Sequence, residues 1–156
     1  MNDEAFRVWA RLRAMVLELH DRRSVASAEL GMSFIKVKAL LKVAAGPLTM
    51  RELTDRLSTD RPYTTLVVDE LVRRGLAVRE PHPEDRRSRV VTATPAGAAA
   101  AARAQQILGE PPPQLRALPA AELAALDRIT ALLVPGPSTA DGPHRGVRPR
   151  RRLSGS

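Results

Sequence analysis

Apolar residues recur every three or four positions near the start of the chain. Ala5, Val8, Trp9, Leu12, Met15, Val16 and Leu19 share one stripe, with Arg7, Arg11, Arg13 and Glu18 on the other side. That period predicts an amphipathic helix over residues 3–22. The pattern lapses over 24–32, which reads as a connection. It returns over 34–45, where Phe34, Val37, Leu41 and Ala44 share a face and Ser33 stands where an N-cap belongs. Gly46-Pro47 closes this second helix, as a glycine followed by a proline does.

Residues 48–97 carry the most organised pattern. Leu48, Thr49 and Met50 are a short extended piece. Thr49 to Glu52 has the Ser/Thr-x-x-Glu form of a capping box, which starts a helix through about Leu57. Ser58 and Thr59 make a turn. Asp60 is a good N-cap, and Pro62 is tolerated in a first turn, where its missing N–H has no partner to lose. The next helix runs to Arg74 and Gly75 closes it. On it Thr64, Val67, Val68, Leu71 and Val72 form the buried face. Leu76 and Val78, then Val91 and Ala93, alternate with other residues as two strands do. PHPEDRRS at 81–88 is the loop between them.

Thr94-Pro95-Ala96-Gly97 opens an alanine-rich helix over about 96–109, in which Gly97 cradles nothing. Pro111-Pro112-Pro113 stops it, since proline removes a donor and clashes with the preceding turn. A last helix runs from Leu118-Pro119 to about Val134, with Leu123, Leu126, Ile129, Leu132 and Leu133 as its apolar face. From Pro135 the chain is rich in Pro, Gly, Ser and Arg and reads as a disordered basic tail. The expected organisation is one domain over 1–134, with a central unit at 48–97, and the tail at 135–156.

Helix, turn, helix, hairpin is the order of a winged helix-turn-helix. The fold class expected is therefore mainly α with a small β-hairpin wing. N- and C-terminal helices flank the unit, and their apolar stripes exceed what it needs. Packing them across a two-fold axis makes a homodimer.

Composition changes this picture in three places. Hydrophobic residues make up 44% of the chain but aromatics only 3%, so the core must be mostly Ala, Leu and Val. Cysteine is absent, which excludes disulfides, a thiolate zinc site and a thiol switch. A reducing cytoplasm fits. No apolar run reaches membrane-spanning length, and MNDEAFRVWARLR lacks the apolar core of a signal peptide.

The net charge of +8 is unevenly placed: +3 over 1–47, +1 over 48–97, 0 over 98–134 and +4 over 135–156. The central unit is close to neutral. An argument for nucleic acid must therefore rest on individual arginines, not on pI. Pro62, Thr65, Leu66, Asp69 and Arg73 form the outward face of the second helix of the unit, with Arg61 and Tyr63 flanking. Methyl groups and the proline ring there suit thymine methyls, Thr65 and Tyr63 carry hydroxyls for base edges or phosphate, and Arg61 suits guanine or phosphate. In the loop, Asp85 beside Arg86, Arg87 and Arg89 is expected to hold a guanidinium in one pose for a minor groove. The plainer reading is a solvated turn. The capped helix-turn-helix before the loop weighs against it.

These residues carry a family resemblance. Leu48-Thr49 with Glu52-Leu53, Asp60 to Thr65, Asp69-Glu70-Leu71 and Arg74-Gly75-Leu76 resemble the MarR family of transcription regulators. The most specific piece is Asp85-Arg86-Arg87-Ser88 leading to Thr94-Pro95-Ala96-Gly97. Ala93 departs from the family's usual leucine, Pro111–Pro113 interrupts a region often helical, and the tail has no counterpart. The resemblance implies a triangular homodimer, joined by its terminal helices, on a pseudo-palindromic operator in double-stranded DNA. It also implies a small aromatic or phenolic effector, for which Trp9, Arg13, His20, Phe34 and Lys38 are the candidates. The plainer reading makes Trp9 core or dimer interface and His20 a helix C-terminal cap.

Nothing supports catalysis: there is no nucleophile–base pair at usable spacing and no glycine-rich phosphate loop. Histidines 20, 82 and 144 are too scattered to hold a metal, and no cofactor is expected. The expected function is a dimeric, ligand-responsive repressor. The alternative is a winged-helix module that binds protein, which the near-neutral central unit allows. For the tail arginines 148, 150, 151 and 152, a salt-sensitive nucleic-acid arm and a plain solvated tail remain equally open.

Overall fold

The computed structural model describes residues 3–85 and 87–134. The tail and Arg86 lie outside the described residues, and so do the readings made of them. The chain divides into two compact units, Met1–Pro112 and Pro113–Ser156.

In the first unit, α1 (Asp3–Ala14) leads into a π-helical segment, Met15–Leu19, followed by α2 (Arg22–Leu30) and α3 (Phe34–Ala44). Next come β1 (Leu48–Thr49), α4 (Met50–Leu57), α5 (Arg61–Arg73), β2 (Ala77–Pro81), β3 (Arg89–Ala93) and α6 (Pro95–Leu108). The second unit holds α7 (Pro113–Arg116) and α8 (Ala120–Leu133). The protein is mainly helical with a small antiparallel sheet of order β1-β3-β2. Ala77 faces Ala93 and Arg79 faces Val91, while Leu48 pairs Val91 from the other side.

Local chemistry sets most boundaries. Thr49 Oγ1 accepts the Glu52 N–H at 3.2 Å and Glu52 Oε2 accepts the Thr49 N–H at 2.8 Å, so the capping box is complete. The Thr49 backbone N–H first, and the Thr49 hydroxyl donating to Glu52 Oε2 at 2.8 Å second, hold the Glu52 carboxyl below its usual range. Asp60 Oδ1 accepts the Tyr63 N–H at 2.8 Å and starts α5. Gly75, at φ +70°, turns the chain from α5 into β2. Thr94 caps α6.

Several expectations need correction. The predicted helix over 3–22 breaks at His20-Asp21, and most of the stretch 24–32, through Leu30, is helical, not a connection. The Asp21 carboxylate accepts from the Arg23 and Ser24 N–H groups at the start of α2, and Gly31 at φ +60° ends it. Ser33 occupies the N-cap of α3 but its hydroxyl makes no cap bond. The buried face of α3 is Val37, Ala39, Leu40 and Val43; Ala44 is exposed, and Phe34 and Leu41 are half-buried. The face is wider than predicted because α3 is the central helix, packed by α2, α4, α5, α6 and β3. Val72 is exposed, since it lies at the edge of the α5 stripe. In β2 the inward residue is Ala77, while Val78 faces out.

The core lies among α3, α4, α5, α6 and the sheet. Leu40, Leu53, Leu71, Val37, Val43, Val67, Val68 and Val91 are fully buried. Each such side chain stabilises by about 1.5–3 kcal/mol through burial. This core anchors the inner face of α5 and leaves its outer face to solvent. Among the described residues, no helix is long and apolar enough to cross a membrane.

Candidate nucleic-acid interface

The α4–α5 pair meets through a turn fixed by Ser58, whose φ of +53° is the one positive value among described non-glycine residues. Thr59 and Thr64 hydroxyls bond each other at 2.9 Å, and Thr64 Oγ1 donates to Asp60 O at 2.9 Å. Buried Thr64 is thus satisfied and locks the start of α5 onto the turn. What remains outward is the predicted face. Arg61, Pro62 and Asp69 are exposed, Tyr63 is 45% and Leu66 65% exposed, and Thr65 is half-buried. Thr65 Oγ1 donates to Arg61 O at 3.0 Å, which leaves its lone pairs outward.

The wing loop is built by its own polar groups. His82 N–H donates to Ser88 O at 3.0 Å and Ser88 N–H to Asp85 O at 2.9 Å. Asp85 Oδ1 accepts the Arg87 backbone N–H at 3.0 Å. Asp85 thus shapes the turn through a backbone bond. At the base of the wing, Arg79 on β2 pairs with Asp69 on α5 at 3.0 Å and braces the hairpin against the helix. Asp69 is therefore engaged with the wing.

Arg61, Asp85, Arg87 and Arg89 come together on one groove of about 290 Å³, which Met50, Arg51, Thr54, Asp55 and Ser88 also line. Pro62, Tyr63, Thr65 and Leu66 extend the same surface along α5. Arg51 was missed by sequence reasoning. Its signal was available: it is the second residue of the capped helix α4, on the side turned from the Leu53–Leu57 core contacts. Four arginines against two aspartates make the groove net basic although the unit as a whole is nearly neutral. Such a groove suits phosphate, and helix N-termini beside it add partial positive charge.

Within one chain the five effector candidates lie at three places. Trp9, 62% exposed, and Arg13 stand on the open face of α1. Phe34 and Lys38 share a shallow hollow with Arg23 and Ile35, and the Arg23 guanidinium sits 5.5 Å from the Phe34 ring centre. His20 belongs to a separate cleft of about 240 Å³ with Met15, Val16, Arg22, Arg23, Leu108, Glu110 and Pro112. Its Nε2 lies 2.8 Å from Glu110 O, so it meets the chain after α6. Trp9 and Arg13 lie on α1, His20 at the break after the π-helical segment, and Phe34 and Lys38 on α3, so the five candidates come from separate elements. Among the described residues, no group of three or more acidic or histidine side chains could hold a metal.

A capped helix-turn-helix followed by a braced hairpin defines a winged-helix protein. The MarR family model matches residues 30–88. A mutant of MarR from E. coli is 31% identical, with a TM-score of 0.67 over 81% of this chain and 96% of that one. A mutant of MarR from E. coli complexed with operator DNA is 27% identical, with a TM-score of 0.58 over 86% and 99% of the two chains. YusO protein from Bacillus subtilis, 19% identical, shares the fold at a TM-score of 0.68 over 85% and 96%. Comparison with curated proteins gave no match. The chain belongs to the MarR family of transcription regulators.

Proposed function

We propose that this chain is a dimeric, ligand-responsive repressor that reads a pseudo-palindromic operator with α5 and the wing. The observation that carries the reading is the convergence of Arg51, Arg61, Arg87 and Arg89 on one groove beside the exposed face of α5. A helix with an outward row of Pro62, Tyr63, Thr65 and Leu66 fits a major groove, and an arginine-bearing hairpin beside it fits the adjacent minor groove. The E. coli MarR mutant with operator DNA supports the same reading.

Dimerisation is supported by two exposed apolar rows. On α1, Phe6, Val8 and Trp9 are exposed; on α8, Ile129, Leu132 and Leu133 are, Leu132 at 84%. A second copy would remove both from water. Two copies then present two α5 helices to half-sites about one DNA turn apart. The effector, a small aromatic or phenolic molecule, would act on this dimer.

The test is a mobility shift with duplexes from upstream of the protein's own gene, combined with sedimentation of the complex. Two chains per operator and release by salt are expected. A monomer, or no shift at low salt, overturns the reading; affinity indifferent to salt would favour a protein-binding winged-helix module instead.

A further inference from the structure

Helix α2 is tied along its length by arginines. At its start Arg22 Nε donates to Ile107 O at 3.0 Å, and Arg22 Nη2 meets the Glu110 carboxylate. Arg103 of α6 holds Glu29 Oε1 at 3.0 and 2.9 Å. At the far end the tie comes from α5. Arg74, its C-cap residue, donates through Nη1 to Leu30 O at 3.3 Å and through Nη2 to Gly31 O at 2.8 Å. Its Nε donates to Glu70 Oε1 at 2.6 Å. Glu70 is also held by Arg73 through two bonds, at 2.9 and 2.8 Å.

Gly31, at φ +60°, turns the chain so that the last carbonyls of α2 face this guanidinium. Those carbonyls carry the partial negative charge of a helix C-terminus and have no partner within the helix. One planar fork thus caps α2 and locks the end of α5. A lysine cannot span three acceptors in fixed directions.

We propose that Arg74 is a positioning residue for operator reading. It fixes the pitch of α5 against α2 and sets the preference for operator over other DNA, without touching DNA itself. This rests on the DNA-reading role proposed above. The leverage is geometric. Arg74 stands at the end of α5 opposite Arg61, so the lever is about 20 Å long for a helix of 13 residues. A tilt of about 10° at Arg74 would move the reading end by roughly 3 Å, as much as a whole hydrogen-bond length.

The experiment compares wild type, Arg74→Lys and Arg74→Ala on the upstream duplex and on a scrambled duplex of equal length, across a salt series, with melting curves for each. The expected result is a loss on the order of tenfold in operator affinity for both variants. Affinity for the scrambled duplex and the salt slope should stay at wild-type values, because Arg74 releases no counterion. Wild-type operator affinity in Arg74→Lys overturns the proposal, and this variant decides if Arg74→Ala does not fold. A salt slope lower by about one overturns it too, since that marks a phosphate contact. Equal losses on both duplexes overturn it in favour of simple loss of folded protein. If wild type itself does not discriminate the two duplexes, the DNA-reading role fails and this inference falls with it.

Discussion

Replacing Gly97 by alanine is expected to destabilise the protein, although alanine is the better helix former. A Cβ built on Gly97 lies 1.8 Å from the Leu76 carbonyl oxygen and 2.8 Å from its carbon. Real Cβ atoms essentially never come within 3.0 Å of such an atom, so the two backbones must part by about 1.2 Å, the difference between those distances. Hydrogen bonds between the same two segments resist that. Thr94 N–H donates to Leu76 O at 3.1 Å and Thr94 Oγ1 to Gly75 O at 2.6 Å. Losing both costs about 2 kcal/mol, and forcing apart a packed contact costs about 1–3 kcal/mol. The gain in helix propensity is at most about 1 kcal/mol. The balance is a loss of about 2–4 kcal/mol. Urea unfolding followed by circular dichroism measures it: the midpoint should fall at constant slope. Stability at or above wild type would refute the close approach. Gly75 and Leu76 join α5 to the wing, so operator affinity should fall in the same variant.

Three further outcomes follow from the local chemistry. Thr49→Ala removes one side of the capping box and should cost about 1 kcal/mol, seen as a lower melting temperature; an unchanged value would show the box to be idle. Glu70 is held at about 2 by Arg73 first and Arg74 second, below its ordinary 4.5. A depressed carboxyl stabilises the fold above its ordinary value, and that contribution is lost as pH falls from 4.5 through about 2. The acid-induced fall in melting temperature should therefore be smaller in Glu70→Gln, and equal falls would discount the pairing. Arg87→Ala should weaken operator binding by roughly tenfold or more with the melting temperature unchanged; wild-type affinity would remove the wing from the interface.

The parts legible in the sequence were those fixed by neighbours in the chain. Thr49, Asp60 and Thr94 cap helices through bonds to residues three positions on, so spacing alone finds them. The outward row of α5 follows from its period. Helix α2 escaped because it buries a single residue, Ala26, and leaves almost no apolar stripe; Asp21 and Gly31 were its only marks. The phase of β2 was misread because its inward residue is the small Ala77 while the larger Val78 faces water. Gly97 looked idle because what it accommodates, the Leu76 carbonyl, is far away in the chain. The proposed effector residues came from the family resemblance alone; they belong to α1, the break at His20 and α3, and no local spacing in the chain relates them.

If α5 and the wing read DNA, the binding constant for the upstream duplex, measured by fluorescence anisotropy over a salt series beside a scrambled duplex, will show it. Tighter binding of the upstream duplex, with log K falling linearly against log salt for both, is predicted. Equal affinity for the two duplexes, or binding that ignores salt, would contradict it.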